Sequence, residues 1–207
     1  MSRRKPVLLW IAVLAAAATA QPPSIPAGAG RDTGPGRTVL VFLPQQFFSD
    51  EEFEPVNRSL GRSGFALKVA AARDGLVVSM NRQVLQPDLK LADVQVADYA
   101  GLVLIGGSGM ALFWDDSLLH QRCREFAAAG KVVAAIGIAP VALARAGVLK
   151  GRTATVFSDR AAVGFLQEHG AKYSFKPLVT DRKVITAASA EHARGLARAL
   201  VRALRGM

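Results

Sequence analysis

The chain carries little with which to do covalent or metal chemistry. Among its 207 residues there is one cysteine, Cys123, and there are three histidines, His120, His169 and His192. A single cysteine excludes an internal disulfide, so the fold must stand on its core, which a chain of this length can build. The histidines fall on separate predicted helices and form no ligand-spaced pair, which argues against a metal site made from them. Aromatic residues are 7% of the chain and do not interleave with the basic ones, so the stacking surface of a nucleic-acid binder is missing. The apolar run from Val7 to Ala18 is 12 residues long, short of the roughly 20 that span a bilayer. Acids are also in deficit, 16 against 26 Lys and Arg, for a formal charge of +10.

That N-terminal run is informative in another way. Arg3, Arg4 and Lys5 precede it, and Ala18-Thr19-Ala20 follows with small residues at the cleavage spacing. The pattern predicts a secretory signal over residues 1–20 and a periplasmic or secreted protein, with an uncleaved anchor as the alternative. Residues 21–36, QPPSIPAGAGRDTGPG, read as a Pro/Gly-rich linker. Residues 37–207 then form one domain. Arg194, Arg198, Arg202 and Arg205 stripe one face of its last helix; a solvated face accounts for them, and an anionic partner is the sharper alternative.

Strands and helices alternate along this domain. Thr38 to Leu43 is apolar and β-branched between Gly36 and Pro44, a buried strand. Ser49 with Glu52 three residues on opens a helix. Further strands are predicted at 66–71, 101–105, 132–136 and 153–157, with two short ones inside 173–187. Helices are predicted from 117 to 129, 159 to 169 and 191 to 204, and Asn81-Arg82 marks a small hairpin attached to the main sheet. The expected class is α/β: a flavodoxin-like three-layer sandwich whose sheet is mostly parallel.

The stretch KVVAAIGIAPVALARAG, Lys131 to Gly147, is the most specific. It predicts a buried strand, a sharp turn at Gly137-Ile138-Ala139, and a helix started by Pro140. In α/β proteins such a turn often presents a nucleophile above the carboxyl ends of the strands. With VFLPQQFFSDEEF at Val41, YAGLVLIGGSG at Tyr99 and VTDRKVITA at Val179, this stretch resembles the DJ-1/PfpI family of the class I glutamine amidotransferase-like fold. The resemblance places that family's nucleophilic cysteine on Gly137, its oxyanion glycines on Gly106 and Gly107, and its acidic partner near Gln46 or Phe47, where nothing ionises. The position of a histidine found in some members falls near Phe157. The resemblance also implies a homodimer.

Glycine accepts positive φ without strain, so Gly137 would keep the turn and lose the chemistry. The expectation is an exported, non-catalytic module with no cofactor and no metal, binding a small-molecule ligand or a partner. Its expected ligand-binding residues are Gly106, Gly107, Gly137, Ile138, Phe47 and Trp114. The alternative is a hydrolase or lyase working through Ser108 or an acid such as Glu51. A titratable group within hydrogen-bond reach of the Gly106 and Gly137 backbone would favour the enzyme. An apolar pocket of Phe47, Ile138 and Trp114 would favour the binding module. Cys123 is expected to be an inert thiol on a flank.

Overall fold

A computed structural model describes residues 36–206. The predicted signal, residues 1–20, and the predicted linker up to residue 35 lie outside the described residues. Within them no helix is long and apolar enough to cross a membrane.

The elements follow in order: β1 Thr38–Phe42, β2 Gln46–Phe48, α1 Asp50–Arg62, β3 Ala66–Ala71, β4 Val77–Ser79, β5 Val84–Leu85, β6 Leu89–Lys90, β7 Gly101–Leu104 and α2 Ser117–Ala128. Then come β8 Val132–Ile136, α3 Pro140–Arg145, β9 Thr153–Ala154, α4 Arg160–Glu168, β10 Lys172–Tyr173, β11 Leu178–Asp181, β12 Val184–Ala187 and α5 Ala193–Arg205. Seven strands make the main sheet in the order β11-β12-β8-β7-β1-β3-β6. All its pairings are parallel except that of the edge strand β11, which runs antiparallel to β12.

Burial on both faces explains why the central strands read as unbroken apolar runs. Along β1, Val39 and Val41 point into one core with Phe53, Val56 and Leu60 of α1 and Leu196 and Leu200 of α5. Leu40 and Phe42 point into the other, with Leu119 and Phe126 of α2, Leu143 of α3 and Leu166 of α4. Gly101 lies so close to β8 that an added Cβ would stand 2.7 Å from the Val132 carbonyl oxygen. The fold is thus the expected three-layer, mostly parallel α/β sandwich.

Two local expectations are corrected. The hairpin forms as β4–β5 around Asn81-Arg82, but it pairs with β2 in a separate three-stranded sheet instead of joining the main one. The loop after β1 captures it: Gln45 donates from Nε2 to the Leu76 carbonyl at 2.9 Å, and Val78 N–H donates to the Gln45 carbonyl at 3.1 Å. The strand expected over 153–157 stops at Ala154. Beyond it, Thr155 N–H donates to Thr186 Oγ1 at 2.9 Å and Phe157 N–H to the Gly137 carbonyl at 2.9 Å, so these donors leave the ladder.

Phe53 fixes α1 to the sheet. It is fully buried, and its ring meets Phe48 edge-on at 6.0 Å. Phe53→Ala is expected to cost about 3–5 kcal/mol, read as a lower urea midpoint.

Candidate functional site

The site lies at the carboxyl ends of β1, β7 and β8, beside the point where successive connections leave the sheet in opposite directions, the usual ligand position in this architecture. The chain turns at Gly106-Gly107 after β7 and at Gly137 after β8. Gly107 has φ +96° and approaches the β2–α1 junction so closely that a Cβ there would stand 2.7 Å from the Phe48 carbonyl carbon. Ser49 N–H donates to the Gly106 carbonyl at 3.1 Å, stitching the two loops together. Gly137 has φ +65°, which strains any residue with a side chain. Its N–H donates to the Ala187 carbonyl at 3.0 Å, and its carbonyl accepts from Phe157 N–H at 2.9 Å. Both its backbone groups are therefore committed.

The space beside Gly137 is filled by Glu52. Oε2 of this carboxyl group accepts the Gly106 N–H at 2.7 Å, and Oε1 lies where a Cβ on Gly137 would have to go. The carboxyl carbon would stand 3.2 Å from such a Cβ. Glu52 is 5% exposed. Its pKa is raised from 4.5 to about 7, chiefly because burial penalises the charged form; the Gly106 N–H opposes the shift and Glu51 adds to it. An ionisable group thus stands at the crook, contrary to the expectation that the acid position falls on Gln46 or Phe47. Glu52 shares a helix face with Val56 and Leu60, four and eight residues on, so it was legible as a carboxylate at an inward-facing position. The capping pattern concealed it: Ser49 Oγ does accept Glu52 N–H at 3.3 Å, but the Glu52 side chain reaches across to Gly106.

An open cleft of about 580 Å³ lies over this point, lined by Glu52, Gly107, Ser108, Gly137, Ile138 and Phe157 among others. Of the predicted residues, Gly106 bounds the site through its bond to Glu52, and Gly107, Gly137 and Ile138 reach the cleft. Glu51 and Ser108 also line it and are exposed. Phe47 and Trp114 do not, so the apolar pocket of Phe47, Ile138 and Trp114 expected of a binding module does not form. Phe47 turns outward with φ +57° and 54% exposure. Trp114 lies behind the crook, where its Nε1 donates to the Ile138 carbonyl at 3.2 Å and its ring packs edge-on against Phe165. The cleft also takes Met80, Asp159, Ser189 and Glu191, which the sequence analysis did not single out. They come from the β4–β5 turn, the α4 start and the β12–α5 loop, distant segments whose convergence leaves no periodic trace.

Cys123 is fully buried in the core facing α2, outside the cleft lining, and burial pushes its thiol up to about 12. The histidines make local bonds: His120 Nε2 with the Trp114 carbonyl, His169 Nδ1 with the Phe165 carbonyl and His192 Nδ1 with Ser189 Oγ. Among the described residues no group of three could hold a metal ion.

A doubly wound α/β sandwich with glycine turns meeting a buried glutamate defines the class of protein. The DJ-1/PfpI family model matches residues 37–203, and the chain belongs to that family. It is 35% identical over 159 residues to an uncharacterised protein of Methanocaldococcus jannaschii, covering 76% of this chain and 77% of that one. Among solved structures it is similar to the ThiJ/PfpI domain protein of Brachyspira murdochii, with a TM-score of 0.80 at 24% identity, covering 83% and 98% of the two chains. It is also similar to Drosophila melanogaster DJ-1beta, with a TM-score of 0.73 at 27% identity, covering 83% and 91%.

Glu52 links pH to stability. Unfolded, it ionises near its ordinary 4.5; folded, it keeps its proton to about 7. Between those values the folded chain holds the extra proton, so stability falls as pH rises through the window, by up to about 3 kcal/mol. Glu52→Gln keeps the acceptor for Gly106 and is expected to remove that slope, gaining on the parent at pH 8 but not at pH 4; urea unfolding at the two values checks it. Gly137→Ala and Glu52→Ala are expected to couple by about 0.5–3 kcal/mol in a double-mutant cycle, since shortening Glu52 vacates the space a Cβ needs.

Proposed function

We propose that this chain is an exported, non-catalytic member of the DJ-1/PfpI family that binds a small ligand in the cleft above Gly137. In this reading Gly137 stands where catalytic relatives hold their nucleophilic cysteine. One observation carries it: the Glu52 carboxyl group occupies the place a side chain on Gly137 would need. The crook cannot supply an attacking atom, and covalent catalysis needs one. Cys123 gives no substitute, because a fully buried thiol with a raised pKa forms little thiolate. The export part of the reading rests on residues 1–20 of the sequence.

A second reading has its own support. Glu52 titrates near neutrality within hydrogen-bond reach of the Gly106 backbone, which is the Gly106 half of the arrangement expected of an enzyme, while the Gly137 N–H is bound by Ala187. A carboxyl group so tuned can transfer protons, so a hydrolase or lyase working through this acid is the alternative. Ser108 is a weaker nucleophile candidate, because the three histidines bond to Trp114, Phe165 and Ser189 instead.

Purified protein is expected to show no amidase or glyoxalase turnover above a heat-denatured control, and Cys123→Ser is expected to match the parent. Turnover lost in Cys123→Ser would overturn the non-catalytic reading. Turnover kept in Cys123→Ser and lost in Glu52→Gln would establish the acid–base alternative.

A further inference from the structure

The charge of the cleft is opposite to that of the chain. The protein has a formal charge of +10, yet the ionisable residues lining the cleft are Glu51, Glu52, Asp159 and Glu191, with no Lys, Arg or His. Three of these acids lie at the rim. Glu51 and Glu191 also face the adjoining groove, where Arg58 and Arg194 stand. Asp159 is partly engaged, its Oδ1 accepting Ala161 and Ala162 N–H at 2.9 and 3.1 Å as the cap of α4.

The fourth acid is the independent observation. Glu52 is buried at the floor of the cleft, and among the described residues Gly106 N–H is the hydrogen-bond donor that reaches its carboxyl group. Oε1 has the bare Gly137 beside it. A buried carboxylate with one donor is under-satisfied, and a further donor from a ligand would relieve it. The same contact disfavours an anion. Gly106 N–H, one of the two backbone donors expected to receive an oxyanion, is already bound by Glu52. The neutral surfaces of the cleft suit an apolar body: Met80, Ile138 and the half-exposed Phe157, whose ring can also face a cation.

We infer that the cleft takes a small organic cation, an amine or amidine on a compact apolar body, whose N–H groups bond the Glu52 carboxylate. The inference rests on the ligand-binding reading of the same cleft and names the class of ligand. A cation binds the ionised form of Glu52, so its binding expels the proton that burial otherwise keeps there. Affinity therefore rises with pH through the titration of this group, whereas an anion or a carbonyl acceptor would prefer the protonated form.

Benzamidine, benzamide and benzoate offer one ring with a cation, a neutral amide and an anion, and benzamidine stays charged across the range. Titration calorimetry of the purified protein at pH 6, 7 and 8 is expected to show benzamidine binding, about tenfold tighter at pH 8 than at pH 6 for a group titrating near 7. Benzoate is expected not to bind. Glu52→Gln is expected to weaken benzamidine at pH 8 at least tenfold and to abolish the pH dependence. The exposed Glu51→Gln is expected to weaken it about two- to fivefold with the pH dependence kept. Preferred binding of benzoate or benzamide, tightening toward pH 6, would overturn the cation assignment while leaving the binding module standing. No binding of benzamidine, or binding indifferent to Glu52→Gln, would overturn the assignment too. Turnover dependent on Cys123 or Glu52 would instead overturn the non-catalytic reading, whichever probe binds.

Discussion

The Glu52 carboxyl group and the bare Cα of Gly137 share a space that would otherwise hold a side chain. Oε2 is held by the Gly106 N–H at 2.7 Å and Oε1 is pressed against the crook. Three loops are joined at this contact: the start of α1 after β1, the glycine turn after β7 and the turn after β8. Positive φ at Gly107 and Gly137 lets these backbones approach as they do. A β-carbon at Gly107 would meet the backbone of the β2–α1 junction and push the loops apart, and one at Gly137 would displace the Glu52 carboxyl group.

Burial is what makes this contact chemically unusual. A solvated glutamate would be fully ionised at neutral pH, but this one is 5% exposed and titrates near 7. Desolvation outweighs the stabilisation from one backbone donor. The protein keeps a group whose charged form is disfavoured in the fold, in the place where α/β proteins put their ligands. A carboxyl group retained at such a cost to stability is more readily understood as serving the cleft than the core, because an apolar residue would fill the same volume without the penalty.

The surroundings follow from the same geometry. The segments converging on the cleft bring helix starts with them, and helix starts favour acids through the backbone dipole. Glu51 and Glu52 begin α1, and Asp159 caps α4. The cleft is therefore acidic although the chain is basic, while arginines gather further along the faces of α1 and α5, at Arg58, Arg62, Arg194 and Arg198. The exposed stripe expected on α5 is present, and its first member, Arg194, stands in the groove that adjoins the cleft.

Much of the framework was legible one element at a time. The unbroken apolar runs of β1, β7 and β8 implied strands buried on both faces, and Pro140 after the Gly137 turn implied the helix that follows. Local pattern determines these, because each is decided by neighbours in sequence. The glycine turns and Ile138, expected at the site, do bound or line the cleft. The destination of side chains was not. Glu52 read as a capping partner, and only the approach of the start of α1 to the turns after β7 and β8 turned it into the floor of a cleft. Phe47 and Trp114 were expected in that cleft; a positive φ turned the first outward, and a bond to the Ile138 carbonyl drew the second behind the crook. Met80, Asp159, Ser189 and Glu191 meet there from distant segments. The sequence by itself determined the sandwich and its crook, through burial and turn chemistry; tertiary structure alone decided which carboxyl group lies beneath that crook, because the choice depends on contacts between residues more than fifty positions apart.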